Sequence, residues 1–99
     1  CLTVSSTAPG VNVYAAEPKN ADDAFRSFKA GRIIADDAPE TVADGLKVPL
    51  KDLTWHFVSR HVTDIFTATE DQIVDAMKLT WKRMKIVMEP SCAVPLACI

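Results

Sequence analysis

Residues 64–88 read DIFTATEDQIVDAMKLTWKRMKIVM, and two different periods meet inside them. DIFTAT, 64 to 69, is a short apolar run rich in β-branched and aromatic residues, which reads as a strand. Thr69 followed by Gln72 matches a capping box, in which two side chains satisfy amides that a helix start leaves open. From there Ile73, Met77, Trp81, Met84 and Met88 fall on one stripe at helical spacing. Lys82, Arg83 and Lys85 gather at the end where the helix dipole favours positive charge. A strand running directly into an amphipathic helix is half of a crossover unit.

The same order occurs upstream. After the Pro9–Gly10 turn, VNVYAAE (11–17) alternates Val11, Val13 and Ala15 with Asn12 and Tyr14, predicting a strand that Pro18 ends. Asn20 is placed to cap a following helix, with Asp22 and Asp23 in its first turn, Ala24, Phe25 and Phe28 on its apolar side, and Gly31 closing it. Residues 32–50, interrupted by Pro39, Gly45 and Pro49, keep no single period and predict a long structured loop. Leu53, Phe57 and His61, with Trp55 and Val58 beside them, predict a further helix over about Lys51 to Val62. Parallel neighbours need helical crossovers, so strands alternating with helices predict an α/β fold: βα units of a mostly parallel sheet flanked by helices.

Ninety-nine residues, 48% hydrophobic and 24% charged, suffice for one modest core. A net charge of -2, with eleven basic residues that form no single-face run, gives no electrostatic case for nucleic acid or an anionic membrane as partner. No apolar run reaches the roughly 20 residues that span a bilayer. CLTVSSTAPG has neither the basic nor the apolar region of a targeting signal. Cys1, Cys92 and Cys98 are odd in number and make no zinc spacing with His56 and His61. They read as reduced, buried thiols of a cytoplasmic protein. The histidines read as partly buried and structural, and Trp55, Trp81 and the methionine stripe as core. The chain starts at Cys1 and stops at Ile99 inside the apolar SCAVPLACI, which reads as an internal piece of a longer polypeptide.

Three stretches are candidates for chemistry. In EPKNADDAF (17–25), one reading has Asn20 capping, Asp22 and Asp23 complementing the dipole, and Glu17 as a strand-end charge. The other has a hard divalent cation held by Glu17, the carbonyl of Ala21 and Asp23, because such an ion seeks several converging oxygens. In PETVADG (39–45), Gly45 after Asp44 either supplies positive φ or lets backbone approach a flat ligand where a Cβ would collide. In MEPSCAV (88–94), Glu89 precedes Pro90, and Ser91 is placed to cap a helix. No GxSxG, HExxH or phosphate-cradling glycine loop occurs, so no complete catalytic set is present.

Taken in order, EPKNADDAF, PETVADG, DIFTATEDQI (64–73) and WKRMKIVMEPSCAV (81–94) resemble the eukaryotic-type serine racemases and the threo-3-hydroxyaspartate ammonia-lyases. These are pyridoxal-phosphate enzymes of the tryptophan synthase β-like fold, fold type II. The likeness runs from Val11 onward and implies that residues 1–99 are an internal segment of the large cofactor-binding domain. It implies racemisation of serine, or elimination from serine or threo-3-hydroxyaspartate, with a small amino acid as substrate and a homodimer as assembly. It implies pyridoxal 5'-phosphate as cofactor, with Gly45 beside it, Asp44 near the active site and Glu89 close to the pyridoxal ring. It also implies Mg2+ or Ca2+ on carboxylate oxygens of Glu17 and Asp23 and the main-chain oxygen of Ala21, with waters completing the shell.

No residue receives a catalytic role. The lysine that anchors the cofactor, the tetraglycine phosphate loop and the serine that meets the pyridine nitrogen have no counterpart in this sequence, so the segment alone is expected to be inactive. Cys92 and Pro95 depart from the small residues usual at their positions. The ADG block, the strand-to-helix junction and the later glutamate also resemble threonine dehydratases. That alternative stays open, as does an inactive fragment serving as a folding or interaction module.

Overall fold

A computed structural model describes residues 1–99. The elements are α1 (Leu2–Thr7), β1 (Tyr14–Pro18), α2 (Asp23–Ala30), α3 (Asp52–His61), β2 (Asp64–Ala68), α4 (Glu70–Met84) and α5 (Pro90–Ala97). Short 3-10 turns occupy Lys19–Ala21 and Asp44–Leu46. β1 and β2 pair in parallel, from Tyr14 opposite Asp64 to Pro18 opposite Ala68, with α2 and α3 in the crossover between them. This is the α/β arrangement that the alternating order predicts. No helix is long and apolar enough to cross a membrane.

Local signals place most boundaries. Thr69 caps α4 through a complete box: the Gln72 amide donates to Thr69 Oγ1 at 3.3 Å, and the Thr69 amide donates to Gln72 Oε1 at 2.8 Å. Gly31 closes α2 in the left-handed region at φ 70°. Thr69→Ala leaves one of these amides without its partner and is expected to lower stability by about 1 kcal/mol, read as a shift in denaturant midpoint at constant slope.

Elsewhere the structure departs from expectation. β1 starts at Tyr14 instead of Val11, because its partner strand starts only at Asp64, where α3 has ended. Asn20 does not cap α2; it lies in the turn before it, and α1, which carries no fully buried residue, had no apolar stripe to announce it. The core is Ala43, Ala68, Ile73, Ala76, Ala93 and Val94, built where α4 and α5 close over β2 and the long loop. On α4 the buried residues are Ile73, Ala76 and Thr80.

Trp81 and Met84 are 61% and 63% exposed, so the stripe is core at Ile73 and Met77, leaves it at Trp81 and Met84, and meets it again at Met88, which packs against the core cluster. Lys85 turns left-handed at φ 59°, ends α4 and puts Met88 outside it. Leu53 is likewise exposed, and His56 is an exposed side chain beside Arg60 rather than a partly buried one. All three cysteines are free thiols as expected, yet Cys1 and Cys92 are exposed and only Cys98 is half-buried.

Candidate functional site

The acids of 17–23 divide their work differently from the capping expectation. Glu17 leaves the end of β1 and reaches the first turn of α2, where Oε2 accepts the Phe25 amide at 2.8 Å. That amide lies in the first turn, where a helix offers its own backbone no acceptor; the first intrahelical bond of α2 is from Arg26 to the Asp22 carbonyl. Glu17, not Asn20, therefore does the capping, across the strand-to-helix junction. Asp22 is turned outward into an ion pair with Arg26 Nε at 2.7 Å. Asp23 is 5% exposed, and its Oδ2 accepts the Leu50 amide at 2.9 Å. Ala21, 2% exposed, lies in the turn between the half-buried Glu17 and the buried Asp23.

Glu17 and Asp23 have no ion-pair partner within 4 Å. Burial pushes the Glu17 carboxyl from 4.5 up to about 7, the nearby Asp23 and Asp22 charges add to the rise, and the Phe25 and Ala24 amides oppose it. Two shielded carboxylates without a counter-charge offer oxygen donors of the kind a hard cation takes. No group of three or more His, Cys, Asp or Glu side chains is gathered as a metal cluster. Two carboxylates alone are brought near one another here.

The raised Glu17 value has a consequence in protein freed of divalent ions. Between pH 4.5 and about 7 the folded state holds a proton that the unfolded chain releases. Stability attributable to Glu17 therefore falls as pH rises through that window and levels off above it. Thermal midpoints taken across the window in chelator should fall more steeply in the parent protein than in Glu17→Gln, which keeps an acceptor for the Phe25 amide.

This corner also fastens the long loop. Ser27, fully buried on α2, donates to the Asp23 carbonyl at 2.6 Å and accepts the Ile34 amide at 2.8 Å. The Glu40 amide bonds the Asn20 carbonyl at 3.1 Å, and Asp23 takes the Leu50 amide, so the loop is tied at its start, middle and end. From the other side, Glu70 at the start of α4 accepts the Val42 amide at 2.8 Å. Asp44 and Gly45 ride on this tethered loop. Ser27 and Glu70 carried no signal in the sequence, since their partners lie 7 and 28 residues away without any periodic relation.

The loop and the last helix converge. Glu89 is the N-cap residue of α5 and Pro90 occupies its first turn, so Ser91 lies inside the helix and does not cap it. Gly45 is not in the left-handed region, which removes the conformational reason for a glycine there. The reason is space: a Cβ on Gly45 would stand 3.0 Å from Ser91 Oγ and 3.8 Å from Ser91 Cβ. Ser91 Oγ is buried with no hydrogen-bond partner, a state that costs about 1–3 kcal/mol. Asp44, whose Oδ1 accepts the Gly45 amide at 2.9 Å, and Glu89 are both exposed carboxylates flanking this contact. Blocks more than forty residues apart, ADG and EPS, thus meet through Gly45 and Ser91. A side-chain-free turn, two exposed acids and an orphaned buried hydroxyl fit the surround of a planar, polar cofactor.

Over residues 1–99 the chain matches the family model described as pyridoxal-phosphate dependent enzyme. It is 72% identical over 99 residues to a beta-hydroxyaspartate dehydratase of Paracoccus denitrificans, a match covering 100% of this chain and 31% of that protein. It is 44% identical over 99 residues to a serine racemase of Homo sapiens, covering 99% of this chain and 29% of that protein. A solved maize serine racemase superposes with a TM-score of 0.95 at 42% identity, over 98% of this chain and 30% of that one. The chain therefore spans 29% to 31% of the length of these relatives.

Proposed function

The chain belongs to the pyridoxal-phosphate dependent enzyme family and shares the fold type II arrangement of its serine racemase relatives; from that premise we propose that it is a segment of a β-hydroxy-amino-acid dehydratase acting on threo-3-hydroxyaspartate. The observation that carries this choice is the 72% identity to a beta-hydroxyaspartate dehydratase, against 44% to a serine racemase, over equal lengths. Racemisation of serine is the second reading, favoured by the superposition of 98% of this chain on 30% of a serine racemase with a TM-score of 0.95.

Pyridoxal phosphate, when bound, draws off the electron pair left at Cα as its proton is removed, which makes loss of a β-hydroxyl feasible. The residues of this chain would bind and orient. Gly45 would present backbone with no side chain of its own, its Cβ direction being filled by Ser91, and Asp44 and Glu89 would place negative charge beside it, Glu89 near the ring. The lysine that anchors the cofactor has no counterpart among residues 1–99, so this segment needs groups from the remainder of a longer cofactor-binding domain and is inactive alone. A small amino acid is the substrate, and the intact protein is a cytoplasmic homodimer.

Glu17, Asp23 and the Ala21 main-chain oxygen would hold Mg2+ or Ca2+, as neutralising charge at the β1–α2 junction and not as a Lewis acid on substrate. What supports that role is the Asp23–Leu50 bond, which joins the acid corner to the loop bearing Asp44 and Gly45. Incubating the intact protein with threo-3-hydroxyaspartate, L-serine and D-serine decides between the readings. Oxaloacetate and ammonia formed in excess over pyruvate and over change in serine enantiomer ratio supports the dehydratase. Interconversion of serine enantiomers as the dominant process rejects it.

A further inference from the structure

The start of α5 is held against the Asp44–Leu46 turn by a contact that contributes no hydrogen bond. Ser91 Oγ is buried and unpaired, and it occupies the space that a Gly45 side chain would need. An alanine at position 91 would avoid the unpaired hydroxyl, so stability of the fold does not account for the serine. The turn cannot withdraw to its other side, because Ala43 is fully buried in the core and Leu46 packs against the same cluster. Nor can the first turn of α5 flex freely, with Pro90 fixing its backbone directly after Glu89. The Ser91–Gly45 contact is therefore a point at which the spacing between the two acid-bearing segments is set.

We propose that Ser91 is a positioning residue: its hydroxyl, seated beside Gly45, sets the spacing between the Asp44–Leu46 turn and Glu89 at the start of α5. The role rests on reading Asp44, Gly45 and Glu89 as the residues that face the cofactor. Ser91 touches Gly45 and acts through it.

The test uses Ser91→Ala, Ser91→Thr, Gly45→Ala and the Gly45→Ala/Ser91→Ala pair in the intact protein. Thermal midpoints are taken without cofactor, and pyridoxal phosphate affinity and the circular dichroism of the bound cofactor are taken by titration. Ser91→Ala should leave the cofactor-free midpoint unchanged or raise it, while weakening cofactor binding about tenfold and reducing the dichroic band. Ser91→Thr, which keeps the hydroxyl, should bind more tightly than Ser91→Ala. Gly45→Ala should lower the midpoint, and Ser91→Ala in that background should restore it. A Ser91→Ala protein that loses midpoint and affinity together, or changes in neither, overturns the proposal. Parent protein that takes up no pyridoxal phosphate overturns the cofactor reading and this role with it. Intact uptake with an unaffected Ser91→Ala overturns the role alone.

Discussion

The proposed cation site predicts that magnesium or calcium raises the thermal stability of the intact protein and that replacing Asp23 with alanine abolishes the gain. An ion that binds only the folded state stabilises it by roughly 2.7 kcal/mol at a hundredfold excess over its dissociation constant, which is several degrees for a domain of ordinary size. Asp23 is 5% exposed and unpaired, and the neighbouring Glu17 has no counter-charge either. Removing one of two carboxylates takes away half the negative charge and leaves too few anionic oxygens for a hard cation. In the absence of metal the same change acts in opposite directions. It deletes the Leu50 bond and relieves the repulsion that helps to raise the Glu17 value.

The metal-free shift should therefore be smaller than the loss of metal response. Asp23→Asn separates the contributions, since it keeps an acceptor for the Leu50 amide and gives up only the charge. Midpoints measured in chelator and across a magnesium titration would show a flat response in both variants. A response equal to that of the parent would remove the cation from this corner.

Features written within one turn of chain were legible before any coordinates: the Thr69–Gln72 box, the Gly31 stop and the strand that runs into α4. The parallel sheet followed from their order. The candidate residues were legible only as separate blocks, because their meeting depends on pairs far apart in sequence. Glu17 reaches Phe25, Asp23 reaches Leu50, and Ser91 fills the space beside Gly45. None of these pairs has a period that a sequence pattern could carry. The stripe through Trp81 and Met84 misled for a related reason. Helical spacing says which side chains share a face, while the neighbouring elements decide how much of that face is covered, and only Ile73, Ala76 and Thr80 are buried on α4.

That uneven coverage leaves Ile73 as the largest side chain of the core cluster, with Val94 beside it, and Ile73→Ala is expected to be the most damaging single substitution in it. Ile73 is fully buried, and four of its five fellow core residues, Ala43, Ala68, Ala76 and Ala93, are alanines. Truncating a buried isoleucine costs about 2–5 kcal/mol, more where the surroundings cannot collapse into the space. The alanines have no further rotamers with which to fill a cavity, whereas Leu46, Met77 and Met88, packed against the same cluster, can lean into it, so the middle of that range applies, against a total stability of about 5–15 kcal/mol for a domain. Ile73→Val, removing one methyl, should cost about 0.5–1.5 kcal/mol. Denaturant midpoints at unchanged slope would read both. The same core carries Ala43, directly before Asp44, and Val94 of α5, which begins after Glu89. Ile73→Ala should thus lose stability and cofactor retention in parallel, whereas Ser91→Ala should separate the two. An Ile73→Ala protein with its midpoint intact would mean that the alanine-lined core is not what joins α4, α5 and the loop.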